Sequence, residues 1–316
     1  MKKISILVPT YQEEENVIPL SEELVRTLDV YKDIYDYEIV FIDNCSKDGT
    51  RKLLRELCAK NPRIKAIFNV KNFGQANSPY YGLLQTTGDC SIMIGADFQE
   101  PVSLIPSFIS EWEKGAKVVC GIKTSSKENP ILYFIRSLYY KAIKKMSEVE
   151  QIEHFTGFGL YDRSFIELLK KLKDPAPFLR GMVAEYASDR ADLPYVQEKR
   201  RAGKSSYNWY RLYDLAMLSF TSYTKIGQRM MTLLGAFFSL IFALVALVYL
   251  ILKLIYWEQF SAGIAPILIG VFLMGSLQML FIGMLGEYIL SINTRIINRP
   301  LVIEEQRINF DVEGNS

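Results

Sequence analysis

The chain has 316 residues, 49% of them hydrophobic and 23% charged, with a net charge of +2. That length holds one large domain or two ordinary ones with ample core, and 12 Pro beside 19 Gly exclude a collagenous or low-complexity chain. The near-neutral balance gives no general case for nucleic-acid binding. Cys45, Cys58, Cys90 and Cys120 lie far apart with no CxxC pair, so zinc-site spacing is absent and the thiols read as reduced and mostly buried.

In chain order, Ile4 to Val8 is an apolar run that stops at Pro9, which predicts a strand rather than a signal peptide. Glu38 to Asp43, Ile64 to Phe68, Ser91 to Ile94 and Lys117 to Ile122 continue the strand series. Between them Glu14 to Leu28, Thr50 to Lys60, Gln75 to Thr86 and Leu104 to Lys114 read as helices. Strands alternating with helices of this length predict an α/β fold with a Rossmann-like, mostly parallel sheet covered on both faces. In such sheets ligands bind beyond the carboxyl ends of the strands.

The averages hide a split. Met231 to Leu252 and Gln259 to Gly286 contain no Asp, Glu, Lys or Arg, and each run exceeds the roughly 20 residues needed to cross a hydrocarbon core of about 30 Å. Two transmembrane helices are therefore expected. Lys199, Arg200, Arg201, Lys204, Arg211, Lys225 and Arg229 precede the first run, and Arg295 and Arg299 follow the second. By the positive-inside rule both termini face the cytosol. Residues 207–230 mix aromatic, aliphatic and basic side chains, as helices lying in the membrane interface do. The expected organisation is a cytosolic catalytic domain at 1–206, interfacial helices at 207–230, a two-helix membrane region at 231–292 and a cytosolic tail at 293–316, polar and loosely held from Glu304 to Ser316.

Three strand ends carry polar residues: Pro9-Thr-Tyr-Gln-Glu13 after the first, Asp43-Asn-Cys-Ser-Lys-Asp-Gly-Thr50 after the second, and Gly95-Ala-Asp-Phe-Gln-Glu-Pro101 after the fourth. Taken singly, each could be a turn or a helix cap. Together they describe one crevice with carboxylates, which suit a hard divalent cation that also holds substrate phosphates.

The runs Ile-Leu-Val-Pro-Thr-Tyr-Gln-Glu, Val-Phe-Ile-Asp-Asn-Cys-Ser-Lys-Asp-Gly-Thr and Ala-Asp-Phe-Gln-Glu-Pro resemble those of family-two glycosyltransferases. The nearer likeness is to the branch that loads sugars onto polyprenyl phosphates, the dolichol-phosphate-mannose-synthase-like and bactoprenol glucosyltransferases. Phe178-Leu-Arg-Gly-Met, Arg200-Arg-Ala-Gly-Lys-Ser-Ser-Tyr207, the two terminal apolar runs, Gly286-Glu-Tyr-Ile and Arg299-Pro300 extend it over nearly the whole chain. The resemblance implies a GT-A type fold and inverting transfer from a nucleotide-sugar to a polyprenyl (undecaprenyl) phosphate at the cytosolic face of the cell membrane. The product would be a lipid-linked sugar for cell-envelope glycan modification. It also implies Mg²⁺ or Mn²⁺ on the diphosphate, UDP as the nucleotide from the family's prevalence, and a tetramer as in relatives.

Residue by residue, Asp97 matches the last acid of the family's Asp-x-Asp and is the expected metal ligand, with Gln99 in the same motif. Asp43 matches the acid that contacts base or ribose, and Pro9, Tyr11 and Glu13 match the wall of the nucleotide pocket. Arg200 and Lys204 match a basic segment suited to phosphate, with a headgroup-facing cluster as the alternative. Arg180 is a further candidate, a structural ion pair being its rival, and Asp162 is expected to anchor structure.

The chain departs from the family pattern in four places. Asn44 replaces a second acid, Gly95 replaces the first acid of Asp-x-Asp, Gly157 stands where relatives carry a general-base Asp, and Ser206 replaces a Lys. A missing base need not abolish catalysis, because a phosphate monoester with a second pKa of about 6 is already largely a dianion at neutral pH. His154, the sole histidine, reads as structural rather than as a replacement base. Two readings stand: an active metal-dependent enzyme, favoured by intact Asp43, Asp97, Gln99 and Arg200, and a catalytically silent membrane scaffold. A processive polymer synthase is disfavoured, since two spans give too little protein to line a conduit.

Overall fold

The computed structural model describes residues 1–125, 152–175, 177–198, Arg200, 264–297 and 300–310, with part of 237–255. The elements run β1 (Lys2–Thr10), α1 (Val17–Asp29), β2 (Tyr35–Asp43), α2 (Thr50–Lys60), β3 (Ile64–Asn69), α3 (Gly74–Gln85), β4 (Cys90–Met93), a 3₁₀ turn (Val102–Leu104) and α4 (Ile105–Glu113). They continue with β5 (Val118–Ser125), β6 (Phe155–Asp162), α5 (Arg163–Leu172), α6 (Leu179–Tyr186), β7 (Arg190–Val196), α7 (Ile264–Ile297) and β8 (Glu304–Ile308). The expected strands and helices of the first half are all present, shifted by at most a few residues at their ends.

The strands form one sheet in the order β7-β5-β6-β4-β1-β2-β3-β8. From β4 through β1 and β2 to β3 every pairing is parallel, as the alternating pattern predicts. The outer strands differ. β6 inserts antiparallel between β4 and β5, and β7 runs parallel to β5. The result is a mixed sheet that is still mostly parallel, as expected: only β6 and β8 run against the other six strands.

Alternate residues of each central strand serve opposite faces. Ile6, Val8, Ile39 and Phe41 pack under α1, α2 and α4 with Leu20, Leu24 and Phe108. Leu7, Val40, Ile42 and Ile67 pack under α3 and α5 with Tyr80, Leu83 and Ile166. Such strands are buried on both faces, hence their continuous apolar runs. Three of the four thiols, Cys58, Cys90 and Cys120, are buried and all four are free, as expected.

The C-terminal segment differs from its expectation. Instead of a loosely held tail, Glu304–Ile308 adds to the sheet as β8, antiparallel to β3. Arg51 pairs with Glu305 at 2.8 Å, and Tyr81 donates to Glu304 at 2.9 Å. Asn309 Nδ2 donates to the carbonyls of Cys58 and Ile64 at 2.7 and 2.8 Å. Polar composition concealed this, because an edge strand needs backbone partners more than apolar side chains.

Among the described residues no helix is both long and apolar enough to cross a membrane. Most of the first expected span, and all of the expected interfacial segment 207–230, lie outside those residues.

One buried polar cluster sits inside the central sheet. Glu38 accepts from Ser5 Oγ at 2.6 Å and from the Thr87 N–H at 2.7 Å, and it pairs with Lys3 Nζ at 2.9 Å and Lys65 Nζ at 2.8 Å. Burial opposes its charge, but Lys65, Ser5, the Thr87 N–H and Lys3 outweigh that and hold the carboxyl down at about 2. A depressed carboxylate stabilises the fold above its unfolded value, and that contribution is lost as pH falls through the folded value. Glu38→Gln is therefore expected to cost roughly 3 kcal/mol near neutrality. Denaturant melts between neutrality and about pH 2 should show the difference from the parent shrinking as acidity rises.

Candidate active site

β4, β1 and β2 run parallel, so their carboxyl ends open on the same side, and the three polar runs meet there. The loops after β1 and β2 are bound to each other. The Gln12 N–H donates to Ser46 Oγ at 2.8 Å, and the Glu13 N–H donates to Thr50 Oγ1 at 2.9 Å. The Gly49 N–H donates to Glu14 Oε2 at 2.6 Å. Each of the three loops holds one non-glycine residue in the left-handed region: Gln12 (φ 58), Cys45 (φ 64) and Phe98 (φ 59). Such backbones cost of order 1–3 kcal/mol each and gather where surrounding contacts impose them.

Asp43 ends β2 with no solvent exposure. Its Oδ2 accepts from the Ser46 N–H at 3.0 Å and faces Arg51 Nε at 3.2 Å. Its Oδ1 is buried, and among the described residues no hydrogen bond of ordinary geometry reaches it. Burial raises the carboxyl above its ordinary range, against the lowering effects of Ser46 and Arg51. A buried acceptor oxygen without a donor is costly, and this one belongs to the last residue of β2, where the loops converge. Arg51 also lies over the Phe68 ring at 5.1 Å and reaches Glu305 on β8.

Asp97 and Glu13 come together through Arg200. Arg200 Nη2 lies 2.9 Å from Glu13 Oε1 and 3.2 Å from Asp97 Oδ2, and its Nε donates to Asp97 Oδ2 at 3.3 Å. The Glu198 N–H, donating to the Gln99 carbonyl at 3.2 Å, holds this segment against the β4 loop. Asn16 Nδ2 donates to Glu13 Oε2 at 2.6 Å. Burial raises the Glu13 carboxyl, Asn16 and Arg200 pull it down, and Asp97 and Asp48 push it up. Gln99 sits beside Asp97, its N–H donating to Asp97 Oδ1 at 3.1 Å. Pro9 and Tyr11 are half-buried at the end of β1. Lys204 lies outside the described residues. Arg180 stacks on Phe178 at 5.2 Å. Asp162 caps α5, accepting from the Ser164 N–H at 3.0 Å and from Trp112 Nε1 at 2.8 Å, which is the structural role expected of it.

Three of the four departures have local causes. Asn44 uses both ends of its amide: Nδ2 donates to Asn72 Oδ1 and to the Gly74 carbonyl, each at 3.1 Å, while Oδ1 accepts from the Phe73 N–H at 2.8 Å. A carboxylate could make only the last of these bonds. Gly157 has φ +106, a backbone that strains any L side chain, and an added β-carbon would meet Met93 Cε at 3.1 Å. Beside Gly95 the space is instead taken by a residue to which the sequence reading gave no role. Glu100 Oε2 accepts from the Gly95 N–H at 2.7 Å, and Oε1 accepts from Thr156 Oγ1 at 3.1 Å. Burial and the nearby Asp97 push this carboxyl up to about 7, against the lowering effects of Gly95 and Thr156. The only prior signal was its place in the run Ala-Asp-Phe-Gln-Glu-Pro. Arg51, the second residue of α2, was missed for the same reason: its importance comes from a contact across the chain.

A divalent ion fits this donor set in part. Among the described residues no group of three or more His, Cys, Asp or Glu could hold a metal ion, so the protein shell is thin. A β-carbon on Gly95 would lie 3.4 Å from both Asp97 Oδ1 and Glu100 Oε2, which leaves two carboxylate oxygens facing a common small space. Mg²⁺ usually takes one or two carboxylates and completes its shell with phosphate and water, and this set meets that requirement.

The model of the family described as "Glycosyl transferase family 2" matches residues 5–169. The bactoprenol glucosyl transferase of Shigella phage SfX is 31% identical over 306 residues, covering 96% of this chain and 99% of its own. A prophage bactoprenol glucosyl transferase homolog of Escherichia coli K12 is 32% identical over 291 residues, 91% of this chain and 93% of its own. Among solved structures, glucosyl-3-phosphoglycerate synthase of Mycobacterium tuberculosis in complex with uridine diphosphate aligns over 70% of this chain and 79% of its own at 14% identity and TM-score 0.46. On the strength of the sequence matches, the chain belongs to glycosyl transferase family 2, in the branch that holds the bactoprenol glucosyl transferases.

Proposed function

We propose that this glycosyltransferase moves a sugar, with inversion, from a nucleotide-sugar to a polyprenyl phosphate, with UDP as the nucleotide. The observation that carries the proposal is the pair of poised groups at the strand ends: the unpartnered, fully buried Asp43 Oδ1 and the Arg200 fork lying on Glu13 and Asp97. Asp43 Oδ1 is an acceptor awaiting the N–H of a base or the hydroxyl of a ribose. Arg51 Nε lies 3.2 Å from the other oxygen of that carboxylate without a hydrogen bond of ordinary geometry, so its positive charge, rather than a directed bond, favours the carboxylate there. Arg200, freed from two carboxylates, offers a planar set of donors that matches a phosphate. Its place beside Asp97 suits either the donor diphosphate or the lipid phosphate.

The attacking group needs little help. A phosphate monoester is already largely a dianion near neutral pH, so Gly157 in place of a general base does not remove a required proton acceptor. A bound Mg²⁺ or Mn²⁺ would neutralise charge growing on the departing diphosphate, with Asp97, Gln99, the donor and water as its ligands.

The polyprenyl acceptor implies a membrane, and the chain has features that support one. The sequence run 259–286 carries no charged residue and exceeds the roughly 20 residues that a span needs. Ile282, Leu285, Ile289, Ile292 and Ile296 are exposed, an apolar surface that water does not favour. With the charge-free run 231–252, the reading is a two-span protein of the cell membrane with its catalytic domain cytosolic.

Purified full-length protein in detergent, given Mg²⁺ or Mn²⁺, a panel of UDP-sugars and a short-chain prenyl phosphate, is expected to form a lipid-linked sugar. Asp97→Ala and a chelator should each reduce turnover at least about a hundredfold. If the folded protein consumes no UDP-, GDP- or TDP-sugar, the silent-scaffold reading replaces this one. A second test isolates the nucleotide. Calorimetric titration with UDP should show Asp43→Asn weakening binding about tenfold to a hundredfold, since a hydrogen bond to a charged group contributes about 1.5–3 kcal/mol. Arg51→Ala should weaken it less.

A further inference from the structure

We propose that Glu100 supplies the second carboxylate of the donor's divalent-ion site, standing across from Asp97 in the space left by the missing side chain of Gly95. The inference rests on the donor-binding reading above and adds a residue to it. Three features of this corner of the structure lead there.

First, Gly95 leaves a cradle. A β-carbon at that position would have ordinary contacts of 3.4 Å with Asp97 Oδ1 on one side and Glu100 Oε2 on the other. An acid at position 95 would reach into the region that Glu100 now enters from the far end of the same loop. The two carboxylates divide their oxygens usefully: Asp97 turns Oδ2 to Arg200, which leaves Oδ1 on the Gly95 side.

Second, Glu100 is held in place rather than left to swing. The Gly95 N–H and the Thr156 hydroxyl each donate to one of its oxygens, at 2.7 and 3.1 Å. One donor on each oxygen fixes the orientation of the carboxylate and still leaves a lone pair on each for a further partner. Thr156 comes from β6, so two separate elements define the position. A carboxylate fixed this way loses little conformational freedom when it takes up a ligand.

Third, a buried hydroxyl nearby is poorly satisfied. Tyr195 is 5% exposed, and among the described residues no hydrogen bond of ordinary geometry reaches its hydroxyl; the Thr156 side chain is near enough to help hold it, and Glu100 and Asp97 are near enough to act on it through their charge. A polar occupant beside the two acids, such as a hydrated cation carrying its own water, would give that hydroxyl a further partner.

The test reads metal uptake and not turnover. Mn²⁺ is titrated into the full-length protein in detergent, with and without UDP, and free Mn²⁺ is followed by its electron paramagnetic resonance signal. The parent is expected to take up one Mn²⁺ when UDP is present. Glu100→Gln keeps the side-chain shape and an acceptor oxygen, and Glu100→Ala removes both; each should weaken that uptake at least tenfold. Adding Gly95→Asp to Glu100→Ala should recover most of the loss, because the new acid enters the same space from the other side. Parental Mn²⁺ affinity in either folded Glu100 variant, judged by circular dichroism, overturns the inference while leaving the donor-binding reading intact. If the parent itself takes up no Mn²⁺ with UDP, both fall together. Should Glu100→Ala fail to fold, the Glu100→Gln result alone decides.

Discussion

Parallel pairing of β1 with β2 and with β4 is the constraint on which the site depends. The register sets Thr10 opposite Asp43 and Leu7 opposite Met93, so three chain segments that are far apart in sequence finish side by side. The ladder of backbone hydrogen bonds stops just past those ends, and the polar groups of the next few residues must find other partners. They find them in each other: the Asn44 N–H donates to the Thr10 carbonyl, and Ser46 and Thr50 receive the N–H groups of Gln12 and Glu13. The strained residues Gln12, Cys45 and Phe98 are held by this lacing, and their cost is offset by the buried core beneath.

Onto that frame the chain loads more negative charge than a stable protein needs. Asp43 and Glu13 are both buried and both raised by burial. Asp97, in the β4 loop, shares Arg200 with Glu13, and Glu100 stands near Asp97. The described structure answers with two guanidinium groups, Arg200 for Glu13 and Asp97, and Arg51 for Asp43. Neither arrangement looks optimised for stability, since Asp43 keeps an unpaired oxygen and replacing such clusters by apolar groups often stabilises. Groups kept in this condition are characteristic of sites that expect a charged ligand.

Arg51 has a second consequence. Through Glu305 it ties the acid at the end of β2 to a strand that follows the long C-terminal helix. β8 thereby adds to the β3 edge of the sheet. An exposed ion pair of this kind contributes under about 1 kcal/mol by itself; its larger effect is on where the guanidinium stands.

The sequence by itself determined the central strands and helices, because alternating apolar runs and helical spacing are local signals that packing between two helix layers reinforces. Polar residues immediately after strands must gather at one end of a parallel sheet, which drew attention to the runs holding Pro9, Tyr11, Glu13, Asp43, Asp97 and Gln99; the roles of these residues, and Arg200 altogether, came from the resemblance to the family. The sequence did not show that β6 runs antiparallel or that Glu304–Ile308 forms an edge strand, because pairing partners are chosen across the chain and leave little local imprint. Nor could it assign Glu100 or Arg51. The role of each is a distance to a residue elsewhere: Glu100 to the empty corner at Gly95 and to Thr156, Arg51 to Asp43 and Glu305. Those distances come into being only when the sheet closes, so tertiary structure alone decided them.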